Sequence, residues 1–149
     1  MRKPSARAIL IAAVAVFGLI QLWPVDRTNP PVESPLTAAP EVETVLRRAC
    51  YDCHSNETQW PLYAKVAPVS WWLAGHVREG RAELNFSVWT GDAQQLKRLA
   101  KTPKELAKGA MPPWTYRLAH RGARLTADEI ATLGRFATAT AQPAAPPTK

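Results

Sequence analysis

Hydrophobic positions recur at helical spacing through the middle of the chain and almost nowhere alternate. Val42, Val45, Leu46 and Ala49 fall at i, i+3, i+4 and i+7, an amphipathic helix that runs straight into Cys50. Val69, Trp72, Leu73, His76 and Val77 mark one face of a second helix that closes near Gly80. Asp92 is placed to cap a third helix over residues 93–101. Thr102-Pro103-Lys104-Glu105 reads as a capping box with proline at the first helical position, and predicts a short fourth helix that stops at Gly109. Thr126-Ala127-Asp128-Glu129 repeats the box and opens a last helix through Ile130, Leu133 and Phe136. Pro61 and Pro68 break the stretch from His54 to Pro68 into a loop. No alternating strand pattern is present, so the expected fold class is all-α.

The two ends carry a different pattern. Ala8–Trp23 is apolar except for Gln21 and follows Arg2, Lys3 and Arg7. As a helix these residues reach about 24 Å, slightly short of a ~30 Å hydrocarbon core. A cleaved signal peptide is the rival reading. The Ala-x-Ala at Ala13–Ala15 falls inside the apolar run, where cleavage would be misplaced, and Trp23 sits where an interfacial aromatic belongs. The favoured expectation is an uncleaved anchor over residues 1–23. It spans the bacterial inner membrane once as a transmembrane helix and leaves the rest of the chain in the periplasm or on the outer face. Residues 24–40 contain five prolines and predict a semi-extended tether that holds a domain off the bilayer. The Ala/Pro-rich stretch 138–149 predicts a disordered tail.

That leaves residues 41–137 to fold. A core from roughly 100 residues is modest, so a bound cofactor would supply much of the buried apolar surface. The net charge is +7, but Arg2, Lys3 and Arg7 account for three of those charges. The remainder is mildly basic and slightly favours anionic lipid or an acidic partner. No basic run interleaves with aromatics, so no nucleic-acid track is expected.

Cys50-Tyr51-Asp52-Cys53-His54 is the strongest chemical signal. Covalent haem attachment needs two thiols that add to the two vinyl groups of one porphyrin edge, and an imidazole beside the second thiol that reaches the iron. C-x-x-C-H at a helix end supplies all three, and it reads as c-type haem attachment. Three rivals remain open. A thioredoxin-like dithiol would need a βαβ pattern, and none is present. A structural disulfide across so short a loop stabilises little. A zinc site would recruit Cys50, Cys53, His54 and either His76 or His120.

The chain also resembles the small bacterial haem-binding domain, a cytochrome c-like module. The resemblance is carried by Ala49–Ser55 (ACYDCHS), Trp60–Ser70 (WPLYAKVAPVS), His76–Phe86 (HVREGRAELNF) and Gly109–Tyr116 (GAMPPWTY), and more loosely by His120–Ile130 (HRGARLTADEI). It implies a small helical haem domain behind the membrane anchor and tether. One covalent haem c would be bound through Cys50 and Cys53, with His54 as proximal iron ligand. Attachment would be made by a cytochrome c maturation machinery.

Met1 aside, Met111 is the only methionine, in a loop stiffened by Pro112 and Pro113, and it is the first candidate for the sixth iron ligand. Methionine opposite histidine raises haem potential for electron transfer. The bland alternative is a buried methionine packed on Trp114. His76 is the alternative distal ligand, with a satisfied core histidine as its rival, and His120 is a third, with a bond to a haem propionate or a backbone carbonyl as its rival. Trp60, Trp71, Trp72, Trp89 and Trp114 are expected mostly in the core but could wall a flat porphyrin, and Arg78, Arg81 and Arg117, expected first as surface residues, could pair with its propionates. The function these residues favour is one-electron transfer with an unidentified, possibly acidic redox partner. Its alternatives are a five-coordinate haem sensor or peroxidase-like enzyme, and a structural haem subunit of a membrane complex. No catalytic residue is recognisable, because neither His76 nor His120 sits in an acid–base pattern.

Overall fold

The computed structural model describes residues 3–142. Among these residues it is helical, with no strand and one isolated parallel bridge between Ser34 and Val88. The helices are α1 (Ala6–Ile20), α2 (Pro40–Ala49), α3 (Tyr51–His54), α4 (Val69–Glu83), α5 (Ala93–Leu99), α6 (Thr102–Ala107), α7 (Trp114–Ala119) and α8 (Ala127–Ala141). Short 3₁₀ turns occupy Leu62–Lys65 and Arg121–Ala123.

Local signals account for most helix ends. The Asp92 carboxylate accepts the Gln94 and Gln95 N–H groups and starts α5. Thr126 Oγ1 accepts the Glu129 N–H while Glu129 Oε2 accepts the Thr126 N–H, so the box that opens α8 is complete. The box expected at Thr102 does not form. Thr102 is already helical and Lys101, which precedes it, offers no side-chain cap. The short helix α7 follows directly on Pro113; six residues are too few to show a period.

The core joins Leu36, Val42, Val45, Leu46, Tyr51, Leu84, Phe86, Leu99, Leu106, Leu133 and Ala137. Helix α8 packs on α6, α5 and α2, while α4 packs on α3. Burying each large apolar side chain in this set contributes about 1.5–3 kcal/mol. The apolar face expected for α4 is only partly used. Val77 is buried, but Val69 and Trp72 are 41% and 47% exposed.

Three expectations about the ends change. Helix α1 has fifteen residues, a rise of about 22 Å. No helix of the described residues is long and apolar enough to cross a membrane, so the predicted transmembrane helix is not found. The reason is at Gln21, where the chain turns: its side-chain amide donates to the carbonyls of Phe17 and Ala67 and accepts the Ala67 N–H at 2.8 Å. The proline-rich stretch runs along the domain rather than away from it. Arg27 donates to the Ala64 carbonyl, Asn29 to Thr58, and Ser34 and Leu36 to Ser87 and Phe86, and Leu36 enters the core. At the other end α8 continues through Ala141, past the expected start of a tail at Thr138. Residues 143–149, and Met1 and Arg2, lie outside the described residues.

Candidate functional site

A cleft of about 310 Å³ opens between α2, α3, α4, α6 and α8. Its walls are apolar: Leu46, Phe86, Leu99, Leu106, Leu133 and Phe136. Cys50, Cys53, His54, His76 and Met111 all line it. The fold therefore brings together five candidates drawn from three separate stretches of sequence. His120 is not among them. It stacks on Tyr116 at 4.2 Å between ring centroids, and its Nε2 lies 3.4 Å from the Tyr63 hydroxyl.

The Cys50–His54 segment is fixed by its neighbours. Helix α2 ends at Cys50, whose N–H still bonds the Leu46 carbonyl, and α3 carries the rest of the motif. The His54 ring is held at Nδ1, 2.9 Å from the Leu84 carbonyl. A carbonyl only accepts, so Nδ1 carries the proton and donates it. Nε2 then holds the free lone pair of a neutral imidazole. Burial pulls the His54 pKa down, which favours that neutral form. The backbone adds a second tie, since the Phe86 N–H donates to the His54 carbonyl at 2.8 Å. Helix α4 approaches so closely at Gly80 that a methyl group there would overlap the Cys53 carbonyl. Glycine is required by that contact.

Cys50 and Cys53 form no disulfide. Burial pushes Cys50 up to about 12, and burial with the Asp52 charge pushes Cys53 up to about 11. Both are neutral thiols at physiological pH, whereas an exchange dithiol holds one thiol well below its ordinary value. No group of three or more His, Cys, Asp or Glu side chains among the described residues is arranged to hold a metal ion, so the zinc reading has no ligand set. A porphyrin supplies four nitrogens of its own and would ask the chain for an imidazole, and the unspent His54 Nε2 is the nitrogen that would meet it. The donor set, the two thiols on the same cleft and the apolar walls fit haem.

Asp52, between the two cysteines, works outward. Its carboxylate accepts the Gln59 N–H and the Tyr116 hydroxyl, the latter at 2.7 Å. Tyr116 also lines the cleft, so this bond joins α7 to the motif. The pKa of Tyr116 is pushed up, first by burial and then by this carboxylate. Met111, 43% exposed, sits just before α7, and its N–H and that of Ala110 both point at the Glu105 carbonyl. Gly109 turns the chain there at φ +67°. His76 is oriented by Nδ1 at 3.0 Å from the Trp72 carbonyl, with the Trp72 ring 4.3 Å away.

Other expected groups stand elsewhere. No tryptophan lines the cleft; its aromatic walls are Phe86, Phe136 and Tyr116. Arg81 is fully engaged with the Ser55 and Thr28 carbonyls and with Asn29 and Thr58. Arg78 lines a second cleft, and Arg117 reaches only the Gly109 carbonyl. The cations at the rim are instead Arg98 and Lys101, set against Glu83 at 3.9 and 3.5 Å. Periodicity did not single them out, because α5 meets this cleft only through tertiary packing.

An all-helical domain with an oriented imidazole and two thiols on one apolar cleft defines a helical cofactor-binding domain. The family described as haem-binding domain matches residues 15–139. The chain belongs to that haem-binding family. No curated protein and no solved structure matches it.

Proposed function

We propose that the chain carries one haem c, attached by thioethers to Cys50 and Cys53 with His54 as proximal iron ligand, and that it acts as a one-electron carrier. The observation that carries this reading is the His54 hydrogen bond. Nδ1 is spent on Leu84, which leaves Nε2 for iron on a cleft that also holds both thiols. When bound, the haem supplies reversible exchange of one electron between ferric and ferrous iron. The chain's own residues then set how readily it does so. Met111 is the distal ligand, a soft thioether that favours the ferrous state. His76, whose Nε2 is also left free by its bond to Trp72, is the alternative.

The domain works at the outer face of the bacterial inner membrane, held there by the apolar helix α1, which buries no residue of its own. Its electron donor or acceptor is a protein that meets a mildly basic surface, and haem is attached by a cytochrome c maturation machinery. The visible spectrum of the matured full chain tests the carrier role. Low-spin iron with a sulfur-to-iron charge-transfer band is expected. High-spin ferric iron would point to an open coordination position and to a sensor or a peroxidase-like enzyme instead.

A further inference from the structure

The residues between the apolar helix and the haem cleft do not behave as a free tether. Gln21, immediately after α1, makes paired hydrogen bonds to the backbone of Ala67, at 2.8 and 3.2 Å. Ala67 is buried at the corner between the 3₁₀ turn Leu62–Lys65 and α4. Arg27 bonds the Ala64 carbonyl in that same corner. The end of α1 is therefore clamped to one named part of the domain, and no residue of α1 is buried.

That corner also leaves a run of apolar side chains uncovered, as α7 does with Trp114 and Leu118. Leu62 is 81% exposed, and Tyr63, Val66, Val69, Trp71 and Trp72 are all exposed as well. Such grouping on a small domain marks an interaction site. Trp23, exposed just after the end of α1, lines one cleft with Trp71 of that corner. The charged neighbours are Arg27, Lys65 and Arg78, with Asp26 the one carboxylate among Trp23–Thr28. Trp23, Trp60, Trp71 and Arg78 line a cleft of about 400 Å³ beside it. Aromatic rings, aliphatic side chains and cations together are the composition of a bilayer interface.

We infer that the Leu62–Trp72 corner is a lipid-docking surface, seating the haem domain directly on the bilayer that receives α1. The inference rests on the membrane-anchor reading above and adds a fixed orientation to it. A short apolar helix also gains from this arrangement. The interfacial layer is shared between Trp23 and the corner, so the domain lies against the headgroups instead of swinging on residues 24–40.

The test uses the full chain, matured with its haem, in nanodiscs of phosphatidylcholine and phosphatidylglycerol doped with a phosphatidylcholine bearing an acyl-chain diazirine. After illumination, peptide mass mapping should find lipid adducts on α1 and on the Leu62–Trp72 peptide. Leu62→Glu with Val66→Glu should lose the corner adducts and keep those on α1. Adducts confined to α1 in the wild-type chain would overturn the docking surface while leaving the anchor in place. Failure of the chain to enter nanodiscs or float with vesicles would overturn the anchor itself, and the docking surface with it. Because the wild-type map alone decides the point, a misfolded double variant leaves the result intact.

Discussion

The two sides of the cleft that holds Cys50, Cys53 and His54 are built differently. On the His54 side the groups are tightly held: His54 Nδ1 lies against the Leu84 carbonyl, its own carbonyl accepts the Phe86 N–H, and the Cys53 carbonyl packs against Gly80. On the opposite side, Met111 stands 43% exposed in a turn held mainly by the Glu105 carbonyl and by one bond from Tyr116 to Asp52. The difference teaches where each kind of change should register. Alterations on the His54 side should cost folding or cofactor retention. Alterations on the opposite side should change the spectrum and potential while the fold survives.

The largest stability effect should come from Gly80→Ala. A methyl there meets backbone, which cannot rotate away, so α4 must move off the Cys53 carbonyl. Overpacking of this kind costs about 1–3 kcal/mol, and we expect the upper half of that range despite a helix-propensity gain of up to ~1 kcal/mol. Urea denaturation of the full chain measures it, and an unchanged midpoint would mean the His54 side is looser than described.

Tyr116→Phe should follow, at about 1.5 kcal/mol, for a part-buried hydrogen bond to a carboxylate. Among the described residues it is the one side-chain bond that ties the Met111–Tyr116 stretch to the Cys50–His54 segment, so the comparison sharpens if Asp52→Asn gives a non-additive loss with it. An additive double mutant would show that the two groups act separately.

Thr126→Ala should cost about 1 kcal/mol through the lost cap of α8. The same cap predicts a pH dependence. The Glu129 carboxyl is held below its ordinary value, first by the Thr126 N–H and also by Arg48. A depressed carboxylate contributes stability that is present above the unfolded value of ~4.3 and is lost as pH falls below it. Glu129→Gln should flatten that part of the acid limb in thermal melts at different pH values.

The smallest effect on folding should be that of Met111→Ala, because the side chain is so exposed. Its signature should be spectroscopic: loss of the sulfur charge-transfer band and a lower reduction potential, with haem still attached. If the band persists and His76→Ala removes low-spin iron instead, the distal ligand is His76.

What was legible in the sequence was local. The C-x-x-C-H run at Cys50–His54, helix α2 running into it, the Asp92 cap and the Thr126 box each lie within a few neighbouring residues, where short-range chemistry decides. The grouping of Cys50, Cys53, His54, His76 and Met111 could be listed from residue types, although their sharing of one cleft required the fold. What escaped were partners distant along the chain. Nothing near His54 announces Leu84 as its acceptor, and nothing near Gly80 announces Cys53. The apolar stripe through Val69 and Trp72 misled for a physical reason: helical spacing shows that a face is apolar but not what covers it. The prolines of residues 24–40 likewise suggested a free tether, whereas Leu36, Arg27 and Asn29 pin that stretch to the domain.

The central claim is that Cys50 and Cys53 hold haem covalently beside a preoriented His54. Intact-mass analysis of the full chain, matured in an exporting host and extracted with acid–acetone, tests it most directly. The predicted result is a single species heavier than the polypeptide by one haem, with Cys50→Ala and Cys53→Ala together returning the bare polypeptide mass. Haem that extracts freely from the wild-type chain, leaving an unmodified mass, would contradict it.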